Sequence, residues 1–244
     1  MKNGHTTRQK TPAGRYALLD ELRGLDLVFL FDVNMRWYAG TPGRLWQQTI
    51  CWVFILLSGF CAPFGRYMLR RGTVVFGAGA VVTLATLVFM PEGRVIFGVL
   101  TFLGAAMLLT GVLEPLLKKV MPAVGLAVSA VLFAVCYPVG LGWVGLGGWK
   151  LMLPQSLYAN YFTAFFGFYP DWFYSTDYFG LLPWLFLFWA GYYLHKAVGR
   201  RRMEPLRRPV CPALGWMGRH SLLLYLLHQP VIYGVLSAAA VLFA

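Results

Sequence analysis

Apolar residues gather in seven stretches, at positions 25–38, 45–64, 73–90, 95–113, 122–137, 179–194 and 214–243. Short polar turns separate them, except for one long connection between the fifth and sixth. A helix needs ~20 residues to cross a bilayer core, and ~17 at the short end. The first stretch is short and the last is longer than needed, and each is read as one crossing. The pattern predicts an all-α polytopic membrane bundle of about seven transmembrane helices. A polar amino-terminal segment, 1–23, precedes a single membrane domain over 24–244.

Composition agrees. Apolar residues make up 59% of the 244 residues, charged residues 12%, and the mean hydropathy is +0.62. A soluble domain is roughly a quarter charged. A soluble enzyme, a disordered chain and a disulfide scaffold are therefore excluded. The net charge of +12 would suggest nucleic acid in a soluble protein, but here its position matters more than its sum. With the amino terminus cytoplasmic, the inner segments are 1–23, 65–72, 114–121 and 195–212. Together with Arg219 they carry 17 of the 21 Lys and Arg. Arg36, Arg44, Arg94 and Lys150 fall outside. This bias agrees with the positive-inside rule in every loop, and a multi-pass chain in the cell membrane is expected. Dropping the short first helix would reverse every later loop. The cysteines Cys51, Cys61, Cys136 and Cys211 form no CxxC or Cys/His cluster, so no metal is expected. No nucleic acid is expected either.

The long outer connection, 138–178, holds 13 aromatics in 41 residues. One reading is an interfacial aromatic belt on a surface-lying or re-entrant segment. The other is a set of stacking platforms for a sugar ring, for which Trp149, Trp172 and Tyr174 are candidates. Asp177 and Tyr178 mark the entrance of the sixth helix. The acid there either receives a sugar amine or hydroxyl or serves as an interfacial cap.

Polar side chains inside the spans need a reason, because a charge at the bilayer centre costs about 2.5–3.5 kcal/mol on insertion scales. In the first helix Asn34 stands ten residues beyond Gly24. That is ~15 Å, half of a ~30 Å core. Asp32 and Arg36 have the i,i+4 spacing of an ion pair. Arg23 shares Asn34's face, at the cytoplasmic edge. In the last helix His228 is ten residues beyond Gly218, at the same depth. Ser221, Tyr225 and His228 form one polar stripe. Pro230 removes the hydrogen bond to the carbonyl of Leu226 and frees an acceptor beside His228. Each of these has a structural reading as a satisfied core group. The functional reading makes His228 and Asn34 a buried reaction centre. Arg219 and His220 near the inner surface either meet lipid headgroups or, with Arg23 and Ser221, hold the phosphates of a nucleotide-like cofactor. His195 is read as interfacial.

The stretches DELRGLDLVFLFDVN (20–34), WVFILLSGF (52–60), RVIFGVL (94–100), STDYFGLLPW (175–184) and GRHSLLLYLLHQP (218–230) resemble the heparan-alpha-glucosaminide N-acetyltransferase-like membrane acyltransferases. The likeness runs in order over nearly the whole chain. It implies transfer of an acyl group, usually acetyl from cytoplasmic acetyl-CoA, to a sugar amine or hydroxyl on the far side. On that reading His228 is general base or acyl carrier, and Asn34 bonds the thioester carbonyl. Arg23, Arg219, His220 and Ser221 hold the donor. Asp177, Tyr178, Trp149, Trp172 and Tyr225 meet the acceptor. Expected partners are a glycan or lipid-linked sugar and membrane lipids, with a homodimer left open. The chain departs from its relatives in two ways. Related bacterial proteins commonly have histidine where Asn34 stands; the heparan enzyme itself is similar in having asparagine there, but its histidine follows in a stretch that is shortened here, and this chain has no histidine between His5 and His195. Relatives often have proline where Gly180 stands. The alternative is therefore an impaired member, or a small transporter, that binds glycan or lipid without transfer.

Overall fold

The computed structural model describes residues 16–33 and 41–227. It is mostly helical. Among the described residues the α-helices with settled bounds are, in order, α1 (Ala17–Val33), α2 (Thr41–Cys61), α3 (Met68–Phe89), α4 (Val99–Leu117), α5 (Pro122–Cys136), α6 (Tyr161–Phe166), α7 (Leu181–Met203) and α8 (Pro212–Arg219). Among the described residues three helices are long and apolar enough to cross a membrane. These are Met68–Phe89, Val99–Leu117 and Pro122–Leu141, the last running on through a 3-10 turn. The chain divides into two compact units, one of residues 1–35 with 199–244 and the other of residues 36–198.

In the first unit α1 packs on α8, and glycine sets how closely. A Cβ on Gly24 would overlap the carbonyl oxygen of Leu214, and one on Gly218 would overlap that of Asp20. The backbones touch because neither helix carries a side chain at the crossing. Glu21 is buried, and its two carboxylate oxygens accept from the Val210 N–H at 2.9 and 3.0 Å. That bond ties the loop before α8 to the start of α1. The helix therefore begins eight residues before the first apolar stretch. Its first turns are polar in sequence but are covered by α8.

In the second unit α2, α3, α4, α5 and α7 run alternately back and forth. At one end Phe60, Leu117, Gly125 and Tyr193–His195 come together: Tyr193 donates to the Leu117 carbonyl at 3.3 Å, and its ring covers Gly125. At the other end lie the start of α4, the end of α5 and the start of α7. Gly59 of α2 abuts the Phe188 carbonyl of α7, and Gly191 of α7 abuts that of Leu56. The glycine of the SGF motif is thus one half of a reciprocal close contact. Thr110, fully buried in α4, accepts from the Trp189 indole at 2.9 Å and donates to the Ala106 carbonyl at 2.6 Å.

Residues 138–178 are neither a re-entrant helix nor loose loop. They hold a β-hairpin, β1 (Trp143–Leu146) and β2 (Trp149–Met152), with Leu146 facing Trp149 across a Gly147–Gly148 turn. The short α6 follows, fixed by a capping box in which Asn160 accepts from the Thr163 N–H at 3.0 Å. In the described part of the last apolar stretch the helix is interrupted. Helix α8 ends at Arg219, His220 is a turn, and helix resumes at 221–227. A rise of 1.5 Å per residue counted straight through from Gly218 does not apply across that turn.

Candidate functional site

Two of the quoted motifs clasp each other in the second unit. Ser175 Oγ accepts from the Ile96 N–H at 2.9 Å and donates to the Ile96 carbonyl at 3.0 Å. Thr176 N–H donates to the Arg94 carbonyl at 3.1 Å, and Phe179 N–H to that of Phe97 at 2.9 Å. Asp177 Oδ2 accepts from the Val99 N–H at 3.1 Å. Gly98, the N-cap of α4, has no side chain to offer, so Asp177 supplies the cap from across the unit. Residues 94–100 and 175–184 are therefore one construction, which seats the entrance of α7 against the start of α4.

Beside this clasp lies a half-open cavity of about 300 Å³. Its wall is Tyr137–Leu141, Gly167, Tyr169, Tyr178, Gly180 and Leu182–Trp184. None of these is charged. Tyr178 donates to the Ala164 carbonyl at 2.5 Å, which holds its hydroxyl in place. Burial first, then the neighbouring phenols of Tyr169 and Tyr158, push Tyr178 above the ordinary phenol range, so it stays protonated. Tyr158 donates to the Val139 carbonyl at 2.5 Å. The rings of Tyr169 and Tyr178 meet edge to face at 5.1 Å. A Cβ on Gly180 would lie 2.5 Å from Gly167 Cα and 2.6 Å from the Tyr178 hydroxyl. Glycine at position 180 keeps that wall open.

In the first unit the glycine crossing organises the basic groups. Arg23 precedes Gly24 and Arg219 follows Gly218, so both flank the contact of α1 with α8. Arg23 is half-buried and Arg219 is exposed. His220 is exposed, its Nδ1 is 2.9 Å from the Trp216 carbonyl, and its ring lies on Trp216 at 4.7 Å. Ser221 and Tyr225 are half-buried on the helical segment that follows.

The family model for heparan-alpha-glucosaminide N-acetyltransferase, catalytic, matches residues 15–230. The chain belongs to that family. The match begins at α1 and includes both motifs of the first unit and all three of the second. A membrane protein of a transmembrane acetyltransferase family, with acyltransferase activity in general, is thereby identified. No curated protein and no solved structure matches the chain.

The sequence-predicted residues thus fall into distinct places. Arg23, Arg219, His220, Ser221 and Tyr225 belong to the first unit, and Asp177, Tyr178, Trp149 and Trp172 to the second. Tyr178 lines the cavity. Trp149, 59% exposed on β2, and Trp172, 55% exposed and packed on Tyr161 at 5.0 Å, do not. Asn34, Arg36 and His228 lie outside the described residues, as does the side chain of Asp32.

Sequence reasoning missed Ser175, Glu21 and Asp26. Asp26 is buried, and among the described residues its carboxyl has no hydrogen bond or ion pair. The only signal was a row of acids at the start of the first apolar stretch. His195 was passed over as interfacial. Its Nδ1 lies 2.8 Å from the Phe60 carbonyl, with the rings of Phe60 and Phe64 edge-on at 5.2 and 4.4 Å. A carbonyl only accepts, so Nδ1 carries the proton and Nε2 keeps its lone pair.

Proposed function

We propose that this family member moves an acyl group, most simply acetyl, from a cytoplasmic acyl-CoA to a sugar amine or hydroxyl on the outer side of the cell membrane, which it crosses several times. The observation that supports this most is the family match over residues 15–230, which takes in both the α1–α8 crossing and the clasp at the entrance of α7. Arg23, Arg219, His220 and Ser221 suit the phosphates of the donor, because guanidinium groups bond phosphate oxygens in pairs. Tyr178, Trp149, Trp172 and Tyr225 are the acceptor-side candidates, and Asp177 beside Tyr178 holds the start of α4 in place. His228 takes the acceptor proton as the new ester or amide forms, or first carries the acyl group itself. Either way the thioester bond breaks and coenzyme A leaves as the thiol. Asn34 bonds the thioester oxygen as charge gathers on it.

The test is transfer across sealed vesicles. Inverted membrane vesicles given radiolabelled acetyl-CoA outside should place label on a glycan or lipid-linked sugar inside. His228→Ala should abolish that label while the protein still inserts. A second reading rests on the departures at the first helix, where Asn34 stands in place of the histidine common in bacterial relatives and no histidine follows before His195: an impaired member or small transporter that binds glycan or lipid without transfer. Absence of acetyl-CoA binding at millimolar concentration by calorimetry would select it.

A further inference from the structure

We propose that the cavity between the end of α5 and the start of α7 binds one uncharged, hydroxyl-bearing sugar ring, with Tyr169 and Tyr178 as a paired donor and acceptor for neighbouring hydroxyls. This rests on the acyltransferase reading only in taking the ring for the acceptor. The binding claim stands on the cavity alone. At about 300 Å³ the cavity is at the small end of ligand sites, of a size for one ring rather than a chain. Its wall offers Tyr169, Tyr178 and Trp184 as aromatic surface, and the C–H face of a pyranose packs on such surface. No carboxylate lines it. The nearest acid in sequence, Asp177, is outside the wall and holds the Val99 N–H through Oδ2. An ammonium ion would be desolvated there with no carboxylate in the wall to pair with it.

The polar capacity is specific. The Tyr178 proton is committed to the Ala164 carbonyl, so its oxygen faces a ligand as an acceptor. The Val139 carbonyl is already taken by the Gly142 N–H at 3.1 Å and by Tyr158. Tyr169 has no hydrogen-bond partner among the described residues, so its hydroxyl is free to donate. One fixed acceptor and one uncommitted donor stand on rings that pack edge to face in the same wall, so together they can serve two hydroxyls of one ring. A lipid tail would leave both unpaired.

The experiment is calorimetry of the purified protein, in a detergent without a sugar headgroup, against methyl glucoside, galactoside and mannoside and their monodeoxy forms. At least one glycoside should bind saturably. Tyr169→Phe should weaken it about fivefold to tenfold, the worth of one hydrogen bond. One deoxy sugar should bind wild type as weakly as the variant and be insensitive to the substitution, which a merely structural tyrosine would not produce. Gly140→Ala sets a Cβ 2.7 Å from the Tyr169 ring and 2.9 Å from its hydroxyl, and should weaken all of them. The matching amino sugar, measured below its amine pKa, should bind more weakly than the neutral one. No saturable binding of any glycoside, or equal losses across the deoxy series, would overturn the site. Tighter binding of the amino sugar would overturn its uncharged character. Transfer of label in vesicles with no effect of Tyr169→Phe sinks this inference and leaves the acyltransferase. Glycoside binding without any transfer does the reverse.

Discussion

His195 illustrates how much a single side chain reveals only in three dimensions. In sequence it is one histidine at the end of an apolar stretch. In the structure Phe60 and Phe64 enclose it and the Phe60 carbonyl holds Nδ1. Burial lowers its pKa below the ordinary 6.5, the Phe60 carbonyl opposes that, and Lys196 adds to it. The unfolded chain thus takes a proton near pH 6.5 that the folded protein resists. Stability falls as pH drops from 6.5 toward the lower folded value, and is unaffected by this group above 6.5. His195→Phe should remove that loss. Thermal midpoints of variant and wild type in detergent should run parallel above pH 7 and diverge below, the wild type falling faster. Parallel curves throughout would exclude the mechanism. Asp177 carries the same lesson. The sequence left it between cap and sugar ligand, and only the Val99 N–H distance shows what it holds.

Helices were far more legible than their contacts. Every apolar stretch within the described residues corresponds to helix, because periodic burial leaves its mark on composition. Their ends were not legible. Asp20, Glu21 and Arg23 read as a polar leader, yet they are helical because α8 packs over them. The hairpin was missed although Gly147–Gly148 between apolar runs is a two-residue turn signal. Abundant aromatics drew the reading toward a belt instead. Glycine was likewise visible as a letter and invisible as a contact. Gly59 faces the Phe188 carbonyl, whereas Gly77 on α3 has nothing within 4 Å of where its Cβ would lie. Gly59→Ala should therefore destabilise by about 1–3 kcal/mol through overpacking. Gly77→Ala should stabilise by roughly 0.5–1 kcal/mol, because alanine is the better helix former. Unfolding in mixed micelles of the two variants checks the contrast. Equal effects would mean that α2 and α7 do not touch as described.

At the scale of the whole chain, charge and connectivity make one statement about sidedness. The turn holding Lys118 and Lys119 and the hairpin turn at Gly147–Gly148 lie at opposite ends of the second unit. With 17 of 21 basic residues on the predicted inner segments, the first turn should face the cytoplasm and the second the outside. Cysteines placed at 119 and 148, in a chain with its native cysteines replaced by serine, should differ in intact cells. An impermeant maleimide should label 148 at once and 119 only after lysis. Labelling of both from one side would refute the topology. The α1–α8 crossing has a further consequence, for biogenesis. Glu21 and its partner Val210 are 189 residues apart. At ~5–20 residues per second a ribosome needs about ten to forty seconds to make that interval. Throughout it, the acids of the first helix have no α8 to cover them. A premature stop anywhere before α8 would leave Glu21 and Gly24 without their mates, so a truncated chain of that kind should be degraded faster than the full one.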